Sequence, residues 1–148
     1  NTSLANMEGV SNGKVIDADK EYAVAEDYRK KLKTKCPSVE QNVGNLNGGN
    51  QQKVLLAKWM FTEPDILILD EPSRGIDVGA KYEIYCIIND LVAAGKSVIM
   101  ISSELPEVLG MSDRIYIMNE GKFVGEVGKE EATSELIMSK IVKSGKGA

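Results

Sequence analysis

Two short segments carry the residue types that phosphate chemistry uses. In Leu46-Asn47-Gly48-Gly49-Asn50-Gln51-Gln52-Lys53 a glycine pair stands directly before a stretch of helical spacing. Such a turn lets backbone N–H groups and a helix start face an anion with no side chain in the way. The same pair serves equally well as a tight turn without a ligand, and the segment alone does not separate the two. Further on, Ile66-Leu67-Ile68-Leu69 runs straight into Asp70-Glu71-Pro72. Successive side chains on a strand point to opposite sides, so two neighbouring acids at its end can do different work. A buried strand ending in solvated acids is the plain alternative.

Both segments need elements to position them. Asn50 to Phe61 reads as a helix through Val54, Leu55, Ala57, Lys58 and Met60, with Pro64 just beyond its end. Ile66 to Leu69 has the continuous apolar pattern of a strand covered on both faces. Val78 to Leu91 follows as a helix with Tyr82, Ile84, Tyr85, Ile87, Ile88 and Leu91 on its buried side, closed by Gly95. Ser97 to Ile101 is a second buried strand. Strand, helix and strand in this order make a βαβ unit with a right-handed crossover, so the sheet is expected to be mainly parallel. Leu105 to Met111 reads as a short helix, and Arg114 to Met118 as a strand turning at Asn119-Glu120-Gly121 into a hairpin. Thr133 to Val142 reads as a last amphipathic helix, and Ser144 to Ala148 as a loose tail. Ahead of all these, Asn1 to Gly13 is polar and reads as flexible or weakly structured. Asp19 to Lys33 carries Tyr22, Ala25, Tyr28 and Leu32 on one helical stripe, ended by Cys36-Pro37-Ser38. Its basic run from Arg29 to Lys35 is read as a solvated face.

In this order the motifs resemble those of ABC ATPases. Leu46 to Asn50 is similar to the signature motif, usually written LSGGQ, with Asn47 and Asn50 in place of its Ser and Gln; both keep a polar group able to hydrogen-bond. Ile66 to Glu71 resembles the Walker B motif. The resemblance implies that Asp70 holds Mg²⁺ through its water shell and that Glu71 polarises the attacking water as general base. It also implies that Asn47, Gly48, Gly49, Asn50 and Gln51 face the nucleotide. Ser73-Arg74-Gly75-Ile76-Asp77 matches the D-loop, where Asp77 can cap the next helix and, by resemblance, reaches toward the opposite nucleotide site. Ser103 stands where the family's switch histidine contacts the γ-phosphate; it can donate a hydrogen bond but carries no positive charge. The tract from Ser103 to Arg114 looks particularly like the monosaccharide-importer branch, specifically its second nucleotide-binding half.

The family's other half is not found. No G-x-x-x-x-G-K-[ST] occurs, and Gly9 to Val15 has the wrong spacing and no hydroxyl after Lys14. The chain therefore reads as a fragment of a P-loop NTPase-like α/β domain lacking the Walker A half. A partial helical subdomain is expected over 1–45, and the signature, Walker B, D-loop and switch part over 46–148. The start at Asn1-Thr2-Ser3 looks like a cut within a longer protein. By resemblance the parent uses ATP and Mg²⁺ and lies on the cytoplasmic face of the membrane. Its partners would be an upstream P-loop half, a second nucleotide-binding domain, permease subunits and, indirectly, a sugar-binding protein.

The net charge of −4 is set against a nucleic-acid partner, which usually leaves a basic footprint. The absence of histidine, with Cys36 and Cys86 far apart, excludes the common zinc spacings and suits a reduced compartment. No apolar run reaches the roughly 18 residues of a membrane span. A non-transport ABC ATPase and an inert module keeping the fold stay open as alternatives.

Overall fold

A computed structural model describes residues 1–145. They form two compact units, the first over residues 1–101 and the second from residue 102 onward, each described by itself below. The expected functional boundary between residues 45 and 46 falls inside the first.

The first unit opens on two 3-10 turns, Thr2–Ala5 and Glu8–Val10, and a short antiparallel pair, β1 (Ser11–Asn12) and β2 (Val15–Ile16). This corrects the expectation of a flexible lead. Val10 is fully buried and Ser3 nearly so. Long-range hydrogen bonds fix the segment: Ser3 Oγ donates to Glu21, and Asn6 Nδ2 donates to Phe61 O at 3.1 Å. Polarity misled here because these polar groups are spent on the helices behind them.

Asp17 caps α1 (Ala18–Lys31), accepting the N–H groups of Asp19 and Lys20. Those bonds hold its carboxyl below the ordinary aspartate range. The helix stops before Cys36-Pro37, at Lys33, whose left-handed φ of 51° turns the Thr34 N–H back onto Arg29 O at 2.9 Å. Tyr22, expected on the buried stripe, is exposed, whereas Leu32 is buried.

Helix α2 (Gly48–Met60) buries Lys53, Leu56, Ala57 and Met60. It leads to β3 (Ile66–Asp70), α3 (Val78–Ala93) and β4 (Ser97–Ile101), the expected βαβ unit, with Gly95 at φ 86° after the helix. β3 and β4 pair in parallel from Ile66 opposite Ser97 to Asp70 opposite Ile101. The strands are not covered on both faces. Leu67 and Leu69 are buried, but Ile66, Ile68, Ile99 and Ile101 are each half or more exposed. Among the described residues this is a two-stranded sheet, and the face carrying these four isoleucines is left open. Tyr82 of α3, expected in the core, is also exposed; Ile84, Ile87 and Ile88 supply the buried face.

The second unit contains α4 (Leu105–Met111), β5 (Arg114–Asn119), β6 (Lys122–Gly128) and α5 (Ser134–Gly145). β5 and β6 form the expected hairpin, a separate antiparallel pair. Its turn puts both Glu120 and Gly121 at positive φ, the mirror-image turn that matches strand twist. Ile115, Ile117, Val127 and Ile137 make the core, with Val108, Leu109, Leu136 and Ile141 against it. α5 runs on through Ser144 and Gly145, correcting the expected loose tail there. Asn119 Nδ2 donates to Ser144 Oγ at 3.0 Å and holds that last turn. The rest of the tail lies outside the described residues.

Candidate functional site

The first unit brings the signature segment and the D-loop segment side by side. Asn47 is the N-cap of α2, accepting the Asn50 N–H on Oδ1 at 3.0 Å, and Asp77 is the N-cap of α3, accepting the Ala80 N–H at 3.0 Å. Two helices thus begin beside each other. Their approach is set by Gly49, where an added Cβ would lie 2.5 Å from Ala80 Cβ, and by Gly48, where it would lie 3.2 Å from Ile76 Cγ2. The glycine pair is therefore a packing requirement as well as an open turn. A small polar pocket of about 200 Å³ is lined there by Lys35, Asn47, Gly49, Asn50, Asp77 and Glu83, among others.

The polar side chains of this turn bind one another. Asn50 is buried, its Oδ1 accepts the Lys35 N–H at 2.8 Å, and its Nδ2 donates to Asn47 Oδ1 at 2.9 Å. Gln51 Nε2 donates to Leu46 O at 2.7 Å. Of the expected nucleotide-facing residues, Asn50 and Gln51 are thus engaged in shaping the loop. The cap takes the Asn50 N–H and does not use those of Gly48 and Gly49, which belong to the first turn that has no intrahelical acceptor. A helix start with such donors suits an anionic oxygen.

Behind the two caps lies a feature that reading the motifs missed. Lys53 is 2% exposed, and its Nζ donates to Glu83 Oε2 at 2.7 Å and to Lys33 O at 3.1 Å. The Lys53 hydrogen bond holds the Glu83 carboxyl below the ordinary glutamate range. A lysine among apolar helix positions is the signal that could have found it, since lysine is almost never fully buried unless paired.

Asp70 ends β3 and is exposed, and Glu71 follows it in the left-handed region at φ 47°. The Glu71 N–H donates to Ile101 O at 2.8 Å, and its carbonyl accepts the Arg74 N–H at 3.1 Å. The two acids are thus neighbours at the C-terminal edge of a parallel strand pair, the edge where ligands of open α/β sheets gather. The left-handed residue turns the chain out of the strand at Glu71. Pro72 and Ser73 are buried beneath the turn, and Gly75 at φ 73° opens it toward Asp77.

Mg²⁺ prefers one or two carboxylates and completes its octahedron with water and phosphate oxygens. An exposed Asp70 at the strand end fits that donor set. Among the described residues no cluster of three or more acids, cysteines or histidines could hold a metal by itself. In the second unit, Ser102 Oγ bonds the buried Glu107 carboxylate and accepts the Glu104 N–H at 3.0 Å. Ser103 stands exposed between them.

A family model described as ABC transporter matches residues 2–74. The L-arabinose transport ATP-binding protein of Geobacillus stearothermophilus is 58% identical over 144 residues, covering 97% of this chain and 28% of that protein. The xylose import ATP-binding protein of Geobacillus kaustophilus is 55% identical over 139 residues, with 94% and 28% covered. The ribose import ATP-binding protein of Clostridium tetani is 55% identical over 139 residues, with 93% and 28% covered. The chain thus spans little more than a quarter of the curated relatives it matches. Among solved structures, an ATP-binding cassette of an ABC transporter in its ADP conformation superposes with a TM-score of 0.70 at 27% identity, covering 91% of this chain and 54% of that one. A nucleotide-free cassette superposes at 0.78 and 23% identity, covering 99% and 61%, a likeness of fold.

Proposed function

Because the chain belongs to the ABC transporter family, we propose that it supplies the signature, Walker B and D-loop part of the ATP-hydrolysing, energy-coupling subunit of a monosaccharide importer. The observation that carries this reading is the pairing of two features. Relatives named for arabinose, xylose and ribose import match almost the whole chain. The Asp70-Glu71 step stands at the edge of the parallel strand pair, with Glu71 turned by its left-handed backbone.

In this reading Asp70 would hold Mg²⁺ through its water shell, and Glu71 would accept the proton of the water attacking the γ-phosphate. Mg²⁺ supplies charge neutralisation at the phosphates when bound. The Gly48 and Gly49 N–H groups, with Asn47, face the γ-phosphate of a nucleotide held by the P-loop of a partner domain. Asp77 caps α3 and reaches toward the opposite site, and Ser103 lines the switch position as a neutral donor. Asn50 and Gln51 serve the nucleotide by holding the turn's shape. No P-loop sequence occurs in the chain, so in this reading nucleotide holding falls to a P-loop half, and the chain alone turns over no ATP. Permease subunits and, indirectly, a sugar-binding protein complete the assembly at the cytoplasmic face of the membrane. No helix among the described residues is long and apolar enough to cross a membrane.

The test is Glu71→Gln in the full-length protein, with the partner site's Walker B acid disabled so that only this site turns over. ATP binding is expected to persist while hydrolysis falls about 10²–10⁴-fold, the usual worth of a positioned general base. An unchanged residual rate would sink the assignment of Glu71. A companion Ser103→His variant then tells whether the neutral switch residue had already silenced the site.

A further inference from the structure

Lys53 and Glu83 sit at equal depth behind two functional turns. Lys53 lies five residues beyond Gly48, and Glu83 five beyond Val78, so each is about 7–8 Å along its helix from the first residue. Their ion pair at 2.7 Å therefore joins α2 and α3 just behind the Asn47 and Asp77 caps. In front of the pair the helices touch where Gly49 meets Ala80. The third contact, Lys53 Nζ to Lys33 O, reaches the left-handed residue that ends α1. From there Lys35 N–H returns to Asn50 in the signature turn. The connections close a ring: signature turn, α2, Lys53, then either Glu83 and the D-loop helix or Lys33, Lys35 and back to Asn50.

A charge with 2% exposure is an expensive way to hold two helices together. An apolar pair of similar volume often gives equal or better stability. What an ion pair adds is direction: the ammonium must meet both its acceptors, which fixes how far α2 slides along α3. Apolar contacts tolerate sliding; this arrangement does not.

We propose that Lys53 and Glu83 are positioning residues that lock the signature turn to the D-loop turn, so that both reach a nucleotide site as one rigid piece. The proposal rests on the transporter reading above for its functional consequence and on the ring of contacts for its structural one. The pair touches no nucleotide in this scheme; it acts through the two turns.

The experiment uses the full-length protein assembled with its permease. Four variants are compared: Lys53→Met, Glu83→Gln, the double variant, and Lys53→Arg. Single variants leave a buried or orphaned partner and are expected to lower the melting temperature. The double variant removes both charges, and its melting temperature is expected to return close to that of the wild type. If the pair positions, the double variant keeps a kcat for ATP about tenfold below the wild type. Its amides at Gly48 to Gln51 and at Val78 to Lys81 then exchange with deuterium about tenfold faster. Lys53→Arg, which retains a charge able to reach Glu83, recovers most of the rate. A double variant with wild-type kcat and wild-type exchange at both turns would overturn the proposal and leave the pair a stability element. If the wild type hydrolyses no ATP but the double variant still loosens both turns, the locking stands and the transporter reading falls.

Discussion

At the start of α2, glycine is demanded by a neighbour. Gly49 has ordinary helical backbone, where alanine would be preferred by about 1 kcal/mol, yet a Cβ there would stand 2.5 Å from Ala80 Cβ. At the end of β3 the situation is reversed. Glu71 adopts the left-handed backbone in which glycine is at ease, and a glutamate occupies it. The first turn gives up helix propensity to bring two helices together. The second keeps a carboxylate-bearing residue in strained backbone, and strain held at a single residue marks sites where side-chain chemistry outweighs stability.

Substitutions at these two places should move stability in opposite directions. The larger effect is expected from Gly49→Ala, where the clash with α3 outweighs the propensity gain and costs about 2–3 kcal/mol, in the range of overpacked interiors. Chemical denaturation reads it, and Ala80→Gly in the same chain should return most of the loss. An unaltered midpoint for Gly49→Ala would show that α2 and α3 part easily, and the contrast between the turns would fail. Next in size is Glu71→Gly, which relieves about 1–2 kcal/mol of left-handed strain against an unfolded-state entropy cost of up to about 1 kcal/mol. A net gain of roughly 0.5–1 kcal/mol should appear beside lost turnover. A loss of stability instead would mean that the Glu71 side chain holds the turn together.

The smallest effect is a pH dependence. Glu83 has its folded-state pKa lowered from 4.5 by the Lys53 hydrogen bond. Its contribution is therefore complete above the unfolded-state value and is lost as pH falls through the lower folded-state value. Between about pH 6 and pH 3 the wild type should lose more stability than Glu83→Gln. The excess should be below about 1 kcal/mol, because Glu83 is half-exposed and screened. Parallel curves for the two proteins would leave the ion pair without energetic weight at that end of the comparison.

The hydrophobic pattern alone placed the βαβ unit, the hairpin and every main helix, because period and turn residues act locally. It also placed Asp70 and Glu71 at a strand end and Asp77 at a helix start, since a cap or a strand terminus is a property of a few neighbouring residues. Three things waited for the tertiary structure. Asn1 to Gly13 looked flexible or weakly structured, yet Ser3 and Val10 are buried; nothing within the segment announces Glu21 and Phe61 as its partners. Asn50 looked like a ligand-facing side chain and proved buried between Asn47 and Lys35, because a hydrogen-bonding group does not declare which acceptor or donor it will meet. Lys53 carried no expectation of its own in the sequence and forms the buried joint between α2 and α3. Local chemistry determined where the motifs stand along the chain. Which of their polar atoms remain open to a phosphate was decided by contacts between residues distant in sequence, whose geometry exists only once the helices have packed.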